Sequence, residues 1–198
     1  MPAVFPIVEG HGEVHAVPIL LRRLATEQLG LPNLHCLPPF RLARGKLMKE
    51  NELSRAITLG RLKMKDHEGP YLVLVIMDAD DECPVNVVQV LRTQHEALFA
   101  TVRTSVVLAV REYEAWFLAA NMNEANHRHL RPVTPVHPNP EGIANPKAVF
   151  EREFLKPEHT YSETVDQPKF TACMNTGTAL RAPSFDKLVR EVRRAFIV

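Results

Sequence analysis

Cysteine, tyrosine and tryptophan are scarce in this 198-residue chain, and neither sign of charge is in real excess. The three cysteines, Cys36, Cys83 and Cys173, are far apart and odd in number. No redox or metal-binding cysteine pair is therefore encoded, and a reducing, cytoplasmic compartment is expected. One tryptophan and three tyrosines provide no aromatic series on which successive bases could stack. Lys plus Arg is 24 against 23 acids, a formal net charge of +1, so only the local distribution of charge can point to a partner. No apolar run approaches the ~20 residues of a membrane span. The opening Met1-Pro2-Ala3-Val4-Phe5-Pro6 lacks the basic region and cleavage pattern of a signal peptide, so a soluble protein without a membrane partner is expected.

Hydrophobic residues make up 45% and charged residues 24%, which excludes a wholly disordered chain. A chain of this length buries roughly 70% of the surface its unfolded form exposes, so no disulfide or structural metal is needed to hold it folded. Proline is abundant: half of the sixteen lie at or after Pro132.

The first ~120 residues read as alternating strands and helices. Val4 to Val8 is a short apolar run closed by Gly10 and Gly12. Val14, Val17, Leu21 and Leu24 then recur at helical spacing, although Pro18 predicts that the regular helix starts only near it. Leu34 to Leu37 reads as a short strand, and Lys46 to Met64 as a helix. Tyr71 to Met77 is apolar on both faces, as in the middle of a parallel sheet. Pro84 opens a helix carrying Val87, Val88, Leu91 and Leu98, Thr104 to Val110 is another buried strand, and Glu112 to Ala120 a helix. This alternation predicts an α/β fold with a right-handed, mostly parallel central sheet flanked by helices.

Composition changes near His127. Residues 1–126 form the expected catalytic core, and 127–198 a proline-rich linker with a helical C-terminal extension. Asn145-Pro146 reads as an N-cap and first helical residue, and Ser184 as the cap of a last helix carrying Phe185, Leu188, Val192 and Phe196. The extension either packs back on the sheet or forms a small lobe.

Three acidic clusters each follow a strand. They are Glu9 to Glu13 (E-G-H-G-E), Asp78 to Glu82 (D-A-D-D-E), and Glu112 with Glu114 after Arg111. The carboxyl ends of parallel strands line the ligand crevice, so segments distant in sequence converge there. Crowded carboxylates repel and raise one another's pKa unless cations sit among them, and hard oxygen ligands favour Mg²⁺, Mn²⁺ or Ca²⁺. Two such ions ~3.5–4 Å apart can activate water and stabilise a leaving oxygen in phosphodiester cleavage.

Singly, each cluster has a structural reading. Glu13 favours a helix macrodipole, Asp80 to Glu82 can cap the helix at Pro84, and Glu112 and Glu114 can sit on a solvated first turn. Asp78, directly ending a buried strand, is harder to dismiss. Gly10-His11-Gly12 begins like a dinucleotide fingerprint but has His15 where the third glycine belongs, and His11 reads as an exposed loop residue. Trp116 reads as core, its indole N–H requiring an acceptor.

Glu9 paired with Asp78-Ala79-Asp80 resembles the TOPRIM (topoisomerase–primase) domain over roughly residues 4–120. V-E-G-x-x-E with a further acid near Glu112 or Glu114 looks like the branch of overcoming-lysogenization-defect nucleases. D-A-D-D followed by R-E-Y-E-A-W looks still more like an uncharacterised prokaryotic TOPRIM-like family encoded beside ABC- or AAA-type ATPases, in loci tied to phage defence. The resemblance implies a Rossmann-like core and Mg²⁺- or Mn²⁺-dependent strand cleavage with two ions. Glu9 would be acid/base or ligand, Asp78 and Asp80 ligands, and Glu13 with Glu114 or Glu112 a second metal position. That branch also uses a basic residue in its site; no motif places it here, and Arg111 and Lys169 are the candidates.

Arg41 to Lys65 holds eight basic residues and two acids, a stripe that would track a phosphate backbone or simply face solvent. Arg41, Arg44 and Lys46 are the most suggestive, since a loop around Gly45 would hold them outside a regular helix. The segment with Tyr161, Asp166 and Lys169 would fold over the crevice. The leading expectation is a metal-dependent nuclease or nuclease subunit with nucleic acid (DNA before RNA), an ABC/AAA-type ATPase and a second copy of the chain as partners. The alternatives are a non-catalytic nucleic-acid-binding or regulatory partner of an ATPase, and a Mg²⁺-dependent phosphatase or phosphotransferase on a small molecule.

Overall fold

The computed structural model describes residues 1–197 and has the expected α/β architecture. In chain order the elements are β1 (Ala3–Val8), α1 (Glu13–Glu27), β2 (His35–Cys36), β3 (Phe40–Arg41), α2 (Arg44–Leu47), α3 (Glu50–Lys63), β4 (Tyr71–Asp78), α4 (Pro84–Gln94), α5 (Glu96–Thr101) and β5 (Thr104–Ala109). They continue with α6 (Glu114–Ala119), a 3-10 turn at Pro140–Gly142, α7 (Pro146–Phe154), α8 (Glu163–Cys173), α9 (Thr176–Ala179) and α10 (Pro183–Phe196). Among the described residues no helix is long and apolar enough to cross a membrane.

Every strand pair is parallel, in the order β2-β1-β4-β5, with β3 also pairing β1. The edge strand is split for a local reason. Leu37 N–H donates to the Val4 carbonyl and Leu42 N–H to the Val8 carbonyl, so alternate residues of β1 face this edge. Pro6 lies between them, has no N–H to offer, and stands opposite the Pro38-Pro39 interruption. β4 is buried from Leu72 to Met77, as its unbroken apolar run requires.

The sheet is covered on both faces. One face packs Phe5, Ile7, Val73 and Val75 under α3 and α4, with Leu53, Ile57 and Leu91. The other packs Val4, Leu74 and Val107 against Leu20 and Leu21 of α1, Trp116 and Phe117 of α6, and Phe150, Phe170, Phe185 and Leu188 of the C-terminal helices. That second cluster is continuous across residue 127, so the C-terminal helices share a core with the sheet instead of forming a lobe of their own.

Several local expectations differ in detail. α1 begins at Glu13 and runs through Pro18; the missing N–H removes a single bond inside a helix held by its buried face. The Lys46–Met64 helix is broken into α2 and α3, and Arg44 and Lys46 lie within α2, not in a loop around Gly45. His95 separates α4 from α5, so Leu98 belongs to a second helix. Asn145 caps α7 as expected, accepting from Ala148 N–H at 3.0 Å. Ser184 caps nothing: α10 starts after Ala182, and the Ser184 hydroxyl accepts from the Trp116 indole N–H at 2.8 Å. The buried indole thereby finds the acceptor it needs.

Candidate functional site

The carboxyl ends of β1, β4 and β5 bring the three acidic clusters to one edge. Glu13, Asp78, Glu112 and Glu114 line a single cavity of about 50 Å³, together with Gly10, Gly12, Lys147, Glu163 and Gln167. The four acids follow or end strands, as the alternating pattern predicts, and Gly10 and Gly12 form the turn between β1 and α1. Lys147, Glu163 and Gln167 come from α7 and α8. No local motif announces them; Glu163 and Gln167 arrive because α8 packs along α1, and Lys147 because α7 packs on α6.

The turn is built around Glu13. Its Oε2 accepts from the backbone N–H of Glu9 and of Gly10, both at 2.9 Å, so the chain wraps the carboxylate of the first helical turn. Gly12 is required by close approach: a Cβ there would lie 2.5 Å from Gln167 Oε1 and 2.7 Å from the Glu163 carbonyl oxygen. Burial, followed by the nearby Glu9 and Glu114 charges, pushes the Glu13 carboxyl up to about 7.

Glu114, equally buried, accepts from the Tyr161 hydroxyl at 2.6 Å and from Gln167 Nε2 at 3.4 Å. Burial raises it to about 7 against the lowering effect of the Tyr161 bond. Asp78 is raised well above the ordinary carboxylate range by burial and by Glu13, Glu114, Glu9 and Asp80 around it. Glu112 Oε2 accepts from Lys147 N–H at 3.0 Å, a carboxylate at the N-terminus of α7. Lys147 Nζ pairs with Glu163. Burial works against its charge, but Glu163, then Glu114 and Glu112, outweigh it and hold the ammonium above its ordinary value.

Two oxygens on this wall, Asp78 Oδ1 and Gln167 Oε1, are buried with no hydrogen-bond partner. Buried polar atoms are seldom left so, and an ion or water usually satisfies those that are. Among the described residues no group of three or more His, Cys, Asp or Glu stands ready to hold a metal. The donor chemistry nonetheless suits a hard cation: carboxylate oxygens, one amide oxygen and no soft ligand. Glu13, Asp78, Glu114 and Gln167 are the residues able to supply them.

Glu9, Asp80 and Glu82 face Arg44. Its guanidinium donates to the Asp78 carbonyl oxygen and to Glu82, and lies 3.4 Å from Asp80 Oδ2 and 3.8 Å from Glu9 Oε2. Glu9 Oε2 also accepts from Asp78 N–H at 3.3 Å. Burial raises the half-buried Glu9 carboxyl despite Arg44. Arg44 is thus bound into the acidic edge, while Arg41 and Lys46 remain exposed beside it. Arg111 sits on the same edge, paired with Asp81, and His11 is exposed. Lys169 is not brought to the cavity; it pairs with Asp166 at 3.1 Å, as His159 does from the other side.

A family model described as Domain of unknown function (DUF4276) matches residues 8–193. Comparison with the curated proteins gives no match, and neither does comparison with the solved structures.

Proposed function

The chain belongs to the family described as Domain of unknown function (DUF4276), and we propose that it is a divalent-metal-dependent hydrolase of phosphodiester bonds in nucleic acid. One observation carries the reading. Four carboxylates from three strand ends share a cavity of about 50 Å³, room for ions and water and not for a substrate, and Asp78 Oδ1 lies on its wall without a partner. The resemblance of Glu9 and Asp78-Ala79-Asp80 to the TOPRIM domain supports the same chemistry.

Mg²⁺ or Mn²⁺ would activate a water and stabilise the leaving oxygen. Glu13, Asp78, Glu114 and Gln167 would hold one ion, with Glu9 and Asp80 on the Arg44 side available to a second. Glu9, with its raised proton affinity, acts as acid/base. Lys147 and Arg44 offset the carboxylate charge, and Lys147, on the cavity wall, is a better candidate than Arg111 or Lys169 for the basic residue that meets the scissile phosphate. Arg41 and Lys46, exposed beside the acids, draw the nucleic acid in.

Cleavage of single- and double-stranded DNA and RNA with Mg²⁺ or Mn²⁺, alone and with a neighbouring ABC- or AAA-type ATPase, tests the proposal. Glu9→Gln should lower cleavage by about 10²–10⁴-fold while binding survives. Salt-dependent binding without cleavage under every condition would leave a non-catalytic binder. Turnover of a small phosphate ester alone would instead favour a phosphatase.

A further inference from the structure

The opposite edge of the sheet carries a larger concavity of about 440 Å³, walled by the start of β5, the ends of α4 and α10, and α5. Its charge is reversed. Arg92, Arg103 and Arg194 line it, with Glu191 the one acid among the lining residues. Glu191 Oε2 is already shared, accepting from the Ser105 hydroxyl at 2.7 Å and from Arg194 Nη2 at 2.9 Å. Arg92 lies over the Phe99 ring, 5.9 Å from its centre, and Arg103 donates one N–H to the Ala195 carbonyl. Among the described residues neither is ion-paired with a carboxylate.

Cations at helix C-termini complement the macrodipole, and this accounts in part for Arg92 in the last turn of α4 and Arg194 in that of α10. It does not account for Arg103, which lies in no helix, nor for three guanidinium groups meeting around one hollow. Lys187 registers the crowding: burial lowers its pKa, and Arg92, Arg190 and Arg194 add to this against the opposing Glu191.

We propose that this concavity binds phosphate groups at a site separate from the carboxylate cavity. Guanidinium groups match phosphate oxygens in a planar, bidentate geometry, and an anion here would relieve the repulsion among them. The volume lies in the range of small-ligand sites, ~300–1,000 Å³. The two edges are separated by the eight residues of β4, roughly 23 Å at the rise of a parallel strand. A mononucleotide held here does not reach the carboxylates.

Calorimetric titration of the full chain at low salt, without divalent metal, tests this with three probes: inorganic pyrophosphate, ADP and a short oligothymidylate. Wild-type protein should bind at least one. Binding of pyrophosphate or ADP at one per chain marks a small ligand as the source of the phosphate; binding of the oligonucleotide alone marks a nucleic acid strand. In either case Arg92→Gln and Arg194→Gln, both at exposed side chains, should each weaken binding by about tenfold or more. Their thermal midpoints should fall by no more than a few degrees, the loss of a macrodipole contact, and Arg92→Glu should weaken binding further. No binding of any probe, or equal binding by wild type and the double Arg92→Gln/Arg194→Gln variant, overturns the proposal.

Discussion

Tyr161 donates its hydroxyl to Glu114 Oε1 across 2.6 Å, with both side chains buried. This bond ties the C-terminal third of the chain to a carboxylate at the start of α6, just beyond β5. It lowers the proton affinity of Glu114 against the larger effect of burial, and so favours the charged form that a cation would need.

Tyr161→Phe should therefore raise the pKa of Glu114 and weaken divalent-ion binding. A hydrogen bond to a charged group contributes ~1.5–3 kcal/mol, so the loss of stability should approach that range where Glu114 is ionised and shrink where it is protonated. Chemical denaturation at two pH values measures the difference. A stability loss independent of pH would show that Tyr161 acts only through packing on Phe150 and Phe170.

The buried acids make stability fall with rising pH. Glu13 and Glu114 are raised from 4.5 to about 7, chiefly by burial. A carboxyl that holds its proton more tightly when folded stabilises the fold fully below its unfolded value, and that stabilisation is lost as pH rises through the folded value. The stake is about 3 kcal/mol for each group taken alone, and less for the two together because they interact. The metal-free thermal midpoint should drop between pH ~5 and ~8, and Mn²⁺ or Mg²⁺ should flatten the drop. A midpoint constant or rising through that window would contradict the buried-carboxylate account.

The strand-end acids were legible because alternation of strands and helices predicts a common edge, and Glu9, Glu13, Asp78, Glu112 and Glu114 all reach it. The partners from the C-terminal helices were not. Glu163 and Gln167 enter through the packing of α8 on α1 and Lys147 through that of α7 on α6, contacts between distant segments that no spacing links, and Pro168 inside α8 hides the helix itself. Gly12 reads in the sequence only as part of the turn after β1; the fold shows that Gln167 and Glu163 approach it closely. The basic stripe misled in one place: Arg44 reads as a free phosphate ligand, yet its short helix turns it onto four acidic-edge oxygens.

That position divides the basic residues by phenotype. Arg41→Ala with Lys46→Ala should weaken nucleic-acid binding and flatten its salt dependence, by ~0.9 in slope for each phosphate of duplex DNA that is no longer neutralised. Arg44→Ala should instead leave Glu9, Asp80 and Glu82 without their shared cation, raising the pKa of Glu9 and lowering stability above neutral pH. Binding titrations at several salt concentrations, alongside thermal melts, separate the two. An equal drop in salt slope from Arg44→Ala at unchanged stability would return Arg44 to the phosphate-binding group.

Asp78 provides the most direct trial of the cavity. It ends β4 among Glu9, Glu13, Asp80 and Glu114, its pKa is raised by burial and then by these four, and its Oδ1 has no partner. Removing it should cost the metal-free protein nothing and relieve repulsion, so Asp78→Ala should match or exceed the wild-type midpoint, by ~0.5–2 kcal/mol. The metal response should move the other way. A ligand at about 100 times its dissociation constant stabilises the fold by ~2.7 kcal/mol, and Asp78→Ala should lose that increment entirely. Gln167→Met, which removes the second unpartnered oxygen and the long Nε2–Glu114 bond, should lower the metal-free midpoint slightly and also lose part of the Mn²⁺ increment. Melts with and without Mn²⁺ across a concentration series read both effects without any cleavage assay. Full Mn²⁺ stabilisation in Asp78→Ala would remove Asp78 from the ligands, and a lower metal-free midpoint would show that its carboxyl supports the fold instead of straining it.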